Sequence, residues 1–260
     1  MKILKVGKTK GYSVMFAVIA FFSSFLTLVL YGSDFAIVGV GSTAVYIWGK
    51  MFASSTFLIV GILAVILNKQ RGKYSYLILV GLVFGFFGDL LLALSLTGGE
   101  ILFVLGMALF LMNHVMFVAA LYSIDGFKLR EVLIAVGIYA FLMFFMIYND
   151  AKMENLTIPV FVYMATLAAL IGKSISVHLS KKMTELCGFL LVTGVIMWAI
   201  SDIILGLGFI DPYKMIRNIC KSITYKTNPK DFFNVLNTVT YFLGQTLVAC
   251  TAYYHKKKQI

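Results

Sequence analysis

Apolar runs of about 20 residues, broken by short polar clusters, recur along the whole chain, and a run of that length is what a helix needs to cross a bilayer's hydrocarbon core. They predict eight spans, near residues 12–31, 43–67, 74–96, 101–123, 129–148, 156–179, 184–210 and 231–254. Most connections are short, so consecutive spans run antiparallel. Gly98-Gly99-Glu100 reads as a tight turn between the third and fourth spans. Pro159 falls in the first turn of the sixth, where its missing N–H costs little. The fold class is all-α: a polytopic membrane protein that forms a single integral membrane domain over residues 1–260.

The pattern also repeats. Gly81, Gly88, Asp89, Leu92 and Leu94 are matched 113 positions later by Gly194, Ser201, Asp202, Leu205 and Leu207. At the same offset Lys50-Met51 matches Tyr163-Met164, and Phe110 and His114 align with Tyr241 and Gln245 once a longer loop is allowed for. The copies are four helices apart, which keeps their orientation in the membrane. The expectation is two parallel four-helix repeats, about residues 12–125 and 126–255, related by a pseudo-twofold along the membrane normal.

Composition points to a membrane protein as well. Apolar residues make up 61% and charged residues 13%, with a mean hydropathy of +0.95, outside the soluble globular range. The net charge of +11 does not point to nucleic acid, because the basic residues gather at span ends. Fourteen fall on one side: Lys2, Lys5, Lys8, Lys10, Lys69, Arg71, Lys73, Lys128, Arg130, Lys181, Lys182, Lys256, Lys257 and Lys258. The positive-inside rule puts that side, and both termini, in the cytoplasm. The Lys257-Lys258-Gln259-Ile260 tail fits either a dilysine retrieval signal or a plain basic end; the membrane is the endoplasmic reticulum's in a eukaryote and the plasma membrane in a bacterium. Loop 211–230, with Tyr213, Met215, Ile216, Ile219 and Ile223 among basic residues, is either an interfacial amphipathic helix or an ordinary solvated loop.

Of the eleven acidic residues, only Asp89 and Asp202 lie deep within spans. Asp89 is eight residues before Thr97, about 12 Å below that surface at 1.5 Å per residue. A carboxylate at that depth costs a few kcal/mol and asks for a compensating role: a site, or a hydrogen-bonded clamp between helices. His114 is the one deep histidine, so a three-histidine zinc site cannot be assembled. Cys187, Cys220 and Cys250 have no paired spacing. Neither a metal nor another cofactor is expected. Lys50 either snorkels to the interface or faces the interior as a phosphate partner; Lys173, nearer a helix end, is expected to snorkel. Tyr163, Tyr241 and Gln245 either join helices or orient substrate and water.

Gly88-Asp89, Phe110 with His114, Pro159-Val160 with Tyr163, Ser201-Asp202, and Tyr241 with Gln245 together resemble the lysoplasmalogenase family of multi-span membrane proteins, the YhhN-like proteins. The resemblance covers nearly all eight spans and departs at Met51, where the family usually has proline, and at Phe117, where it often has tyrosine. It implies hydrolysis of the vinyl ether bond of lysoplasmalogens to a fatty aldehyde and a glycerophospho-alcohol, with a lysophospholipid as substrate and the bilayer as partner. In that chemistry Asp89 and Asp202 would divide the acid and base roles and His114 would relay protons. Tyr163, Tyr241 and Gln245 would bind substrate or water, with Lys50 on the phosphate. A proton-coupled carrier is the alternative, because parallel repeats with midplane carboxylates also describe transporters.

Overall fold

The computed structural model describes residues 43–69, 72–149, 156–206 and 229–255, with side chains described from residue 47 of the first segment and residue 236 of the last. They form seven helices, which we label α1 (Thr43–Leu67), α2 (Lys73–Gly98), α3 (Glu100–Tyr122), α4 (Leu129–Tyr148), α5 (Thr157–Leu179), α6 (Glu185–Gly206) and α7 (Pro229–Tyr254). No strand occurs among the described residues. Six of the helices, α1 to α6, are long and apolar enough to cross a membrane. The bounds of α1 and α4 are those the hydropathy pattern predicts, and the other starts and most ends fall within two residues. The expected span at 12–31, loop 211–230, the basic tail and positions 207–210 of the seventh expected span lie outside the described residues.

α2 and α3 form a hairpin with a single residue between them. Gly99 has φ of 82°, a left-handed backbone that a side chain would strain, and its N–H bonds the Ser95 carbonyl at 3.1 Å. Packing then follows small residues. α1, α2, α6 and α7 enclose the main core around Phe57, Ile78, Leu82, Leu191 and Trp198, all buried. α3 adds Phe117 and Leu121 to it, and α4 packs along α5.

α6 and α7 approach closely, backbone to backbone. A Cβ on Gly244 would stand 2.8 Å from the Gly194 carbonyl oxygen and 2.8 Å from the Trp198 nitrogen; one on Gly194 would meet the Gly244 carbonyl oxygen at 2.9 Å. Neither contact is with a side chain that can swing away. Membrane helices associate through such small-residue faces because lipid offers no hydrophobic drive to push them together. Gly244→Ala is therefore expected to force α6 from α7 and cost at least the ~1–3 kcal/mol of an overpacked core. Thermal unfolding in detergent checks this; a melting temperature equal to wild type would count against the close crossing.

One expectation fails here. Lys173 does not snorkel to the interface: it is 1% exposed. Its Nζ donates to Glu131 Oε2 at 2.8 Å and to the Gly126 carbonyl at 2.7 Å, and it lies 3.8 Å from the centre of the Tyr122 ring. Glu131 in turn accepts from the Tyr122 hydroxyl at 2.8 Å. The counter-charge comes from the first turn of α4, and the sequence pattern of α5 alone could not show that a carboxylate from another helix would be there. Beside this pair, the Lys128 ammonium lies 2.6 Å from Asp125, and Asp125 also accepts from Ser180 at 2.5 Å. The α3–α4 loop is thus tied to the end of α5 by ionic hydrogen bonds, well away from the site described next.

Candidate functional site

A cavity of about 350 Å³ opens at one end of the bundle. Its walls come from the beginnings of α1, α3, α5 and α7 and the ends of α2, α4 and α6, so it lies away from the basic α1–α2, α3–α4 and α5–α6 loops. Lys50, Asp89, Tyr163, Asp202 and Tyr241 all line it. Two carboxylates 113 positions apart in sequence, on α2 and α6, therefore converge on one space.

Their surroundings differ. Asp89 is 1% exposed and fully engaged. Its Oδ2 accepts from the Tyr241 hydroxyl at 2.7 Å and the Ser54 hydroxyl at 2.7 Å, and its Oδ1 lies 3.4 Å from the Lys50 ammonium. Lys50 thus faces the interior rather than snorkelling. Gly88, just before the aspartate, leaves room for the Phe110 ring, which a Cβ there would meet at 3.0 Å.

Asp202 is mostly buried and meets a hydroxyl and an imidazole instead of an ammonium. Its Oδ2 accepts from the Tyr163 hydroxyl at 2.9 Å and stands 3.8 Å from His114 Nε2, too far for a hydrogen bond. His114 is fully buried, tilted against Tyr163 and edge-on to Trp198 with ring centres 4.8 and 4.6 Å away, and does not itself line the cavity. Its Nδ1 is 3.2 Å from the Thr166 hydroxyl, whose single proton goes to the Tyr163 carbonyl at 2.8 Å. The other ring nitrogen, Nε2, is turned toward Asp202.

Gln245 stays away from the cavity. It is fully buried between helices, its amide directed to Gly85 beside that of Asn113, with no hydrogen-bond partner among the described residues. The structure also adds residues that the sequence reading passed over. Ser54 lies one turn after Lys50, Thr166 three residues after Tyr163, and Asn237, which lines the cavity and accepts from Ser201, one turn before Tyr241. Helical spacing from each residue already singled out would have found them. Among the described residues no three His, Cys, Asp or Glu side chains gather in a metal-binding group.

Fold and site together define a class: an integral membrane protein built of long apolar helices, with paired aspartates opening on a largely apolar cavity. The profile of the YhhN family matches residues 50–252, well over half of the chain and every helix from Lys50 onward. The chain belongs to the YhhN family. No curated protein and no solved structure matches it.

Proposed function

We propose that the protein is a membrane-embedded hydrolase that cleaves the vinyl ether bond of lysoplasmalogens, releasing a fatty aldehyde and a glycerophospho-alcohol. One observation carries this reading: Asp89 and Asp202 line one cavity in unlike settings, the first against an ammonium and the second against a hydroxyl with an imidazole nearby. Membership of the YhhN family agrees with it.

Vinyl ether hydrolysis needs an acid for the β-carbon, a standing negative charge beside the cation that results, and a base for water. Glycosidases meet a similar cation with two carboxyl groups in unequal environments. Asp202 is the acid. No ammonium faces it to hold it as an anion, as Lys50 faces Asp89, so it is the carboxyl group assigned the proton. Asp202 gives that proton to the β-carbon, and the ether oxygen's lone pair forms the oxocarbenium ion. Asp89, held as an anion by Lys50, stabilises that ion. Water adds to the cationic carbon and returns a proton to Asp202. The hemiacetal then collapses to aldehyde and alcohol, so one water is consumed and the acid is restored. Tyr163 and Tyr241 fix the two carboxyl groups, and Lys50 lies where a substrate phosphate can share it. His114 serves Asp202 from behind, and Gln245 supports the helix packing.

The placement also supports the duplicated architecture. Lys50 faces Asp89 and Tyr163 faces Asp202, and both partners in the second pair stand 113 positions after those in the first. With the basic loops in the cytoplasm, the cavity opens toward the other leaflet.

Purified protein in detergent, given a lysoplasmalogen and no ion gradient, is expected to release aldehyde, and to release none from the matching acyl lysolipid. A carrier would release none from either, and that outcome would end the hydrolase reading.

A further inference from the structure

The carboxyl groups occupy only part of the cavity; much of the rest of its wall is hydrocarbon and thioether. Met107 of α3, Leu142 and Met146 of α4, and Val160 and Met164 of α5 line this arm. Four of them, Leu142, Met146, Val160 and Met164, form a hydrophobic cluster of their own, with Met107 packed against it.

Helix packing explains why an arm exists there. α3 and α4 are consecutive in the chain and joined at the far end of the bundle by residues 123–128, yet α3 packs along α2 and α5 while α4 packs along α5. Among the described residues no extended packing joins α3 to α4. At the cavity end the partition between them is side chains, three of them flexible or easily turned, rather than backbone against backbone. The outer face of α4 carries exposed Phe141 and Phe144, as a helix beside lipid would.

We propose that the seam between α3 and α4, bounded by Met107, Leu142 and Met146, admits a single hydrocarbon chain sideways from the bilayer and houses it while its head lies at the aspartates. The proposal rests on the lysolipid reading for the identity of the chain's head, whereas lodging of the chain can be measured without any reaction. Three features fit one chain. The arm is continuous with the polar end that carries Lys50, so an amphiphile has one sensible orientation. The whole cavity, polar end and arm together, measures about 350 Å³, a space on the scale of one chain and not a pair. Methionine, unbranched and polarizable, adapts to a chain that slides past it.

The test uses the full chain in lipid nanodiscs and a lysophospholipid whose chain is joined by a saturated ether, which the proposed chemistry cannot cleave, and carries a diazirine near its middle. After illumination, saturable label is expected on the peptides containing Met107 and Leu142 to Met146. Label confined to α1 or α7, or label that unlabelled lysolipid does not displace, overturns the proposal. In a second arm Met146→Trp and, separately, Leu142→Trp fill the seam from α4. Each is expected to lower labelling at least tenfold and to shift aldehyde release toward shorter alkenyl chains; an unchanged chain-length profile with unchanged labelling overturns it. Labelling in the expected place without aldehyde release from any protein would keep the passage and remove the hydrolase reading.

Discussion

Asp202→Asn is expected to abolish aldehyde release from lysoplasmalogen while the protein keeps its fold. The amide is the same size, its oxygen still accepts the Tyr163 hydroxyl that now sits 2.9 Å from Oδ2, and no ammonium is left without its counter-charge. What disappears is the proton. General acid catalysis contributes about 10²–10⁴-fold, and the loss in kcat should fall in that range. Asp89→Asn should be as inactive but less benign. It removes the anion that Lys50 faces at 3.4 Å in a cavity of low dielectric, so its melting temperature is expected to fall as well. Aldehyde formation followed through a coupled dehydrogenase, alongside thermal unfolding in the same detergent, separates the two effects. Near wild-type turnover in either variant would remove that carboxyl group from the mechanism.

The second large effect concerns the pair at the other end of the bundle. Lys173→Met would leave Glu131 buried with the Tyr122 hydroxyl as its remaining strong donor among the side chains described, and Glu131→Gln would leave Lys173 buried opposite a neutral amide. Removing one partner of a buried ion pair costs about 3–5 kcal/mol, because the survivor's desolvation is no longer offset. The double variant Glu131→Gln/Lys173→Met should recover much of that loss, since no uncompensated charge remains. Aldehyde release per folded molecule should be the same in all three, as this network lies far from the cavity. Thermal melts of the two single variants and the double variant decide it; equal stability across the set would mean that solvent reaches the pair.

Much of the fold could be read from the chain. The bounds of α1 and α4, the turn at Gly99 and the place of Asp89 and Asp202 within long apolar helices were all legible, and so was the kinship with the YhhN family. Pairings across helices were another matter. Ser54 on Asp89, Thr166 on His114, Lys173 on Glu131 and the burial of Gln245 away from the cavity each depend on which faces of two helices meet.

The division has a physical cause. In hydrocarbon every backbone N–H and C=O must be satisfied within its own segment, so length and hydropathy alone settle where the helices run. The faces toward lipid and toward other helices are both apolar, and the one-dimensional pattern does not tell them apart. The sequence by itself determined where the described helices run, the turn at Gly99 and the two carboxylates within them. Only the tertiary structure decided that those carboxylates share one cavity, that Lys50 and not His114 sits against Asp89, and that α3 and α4 part beside them.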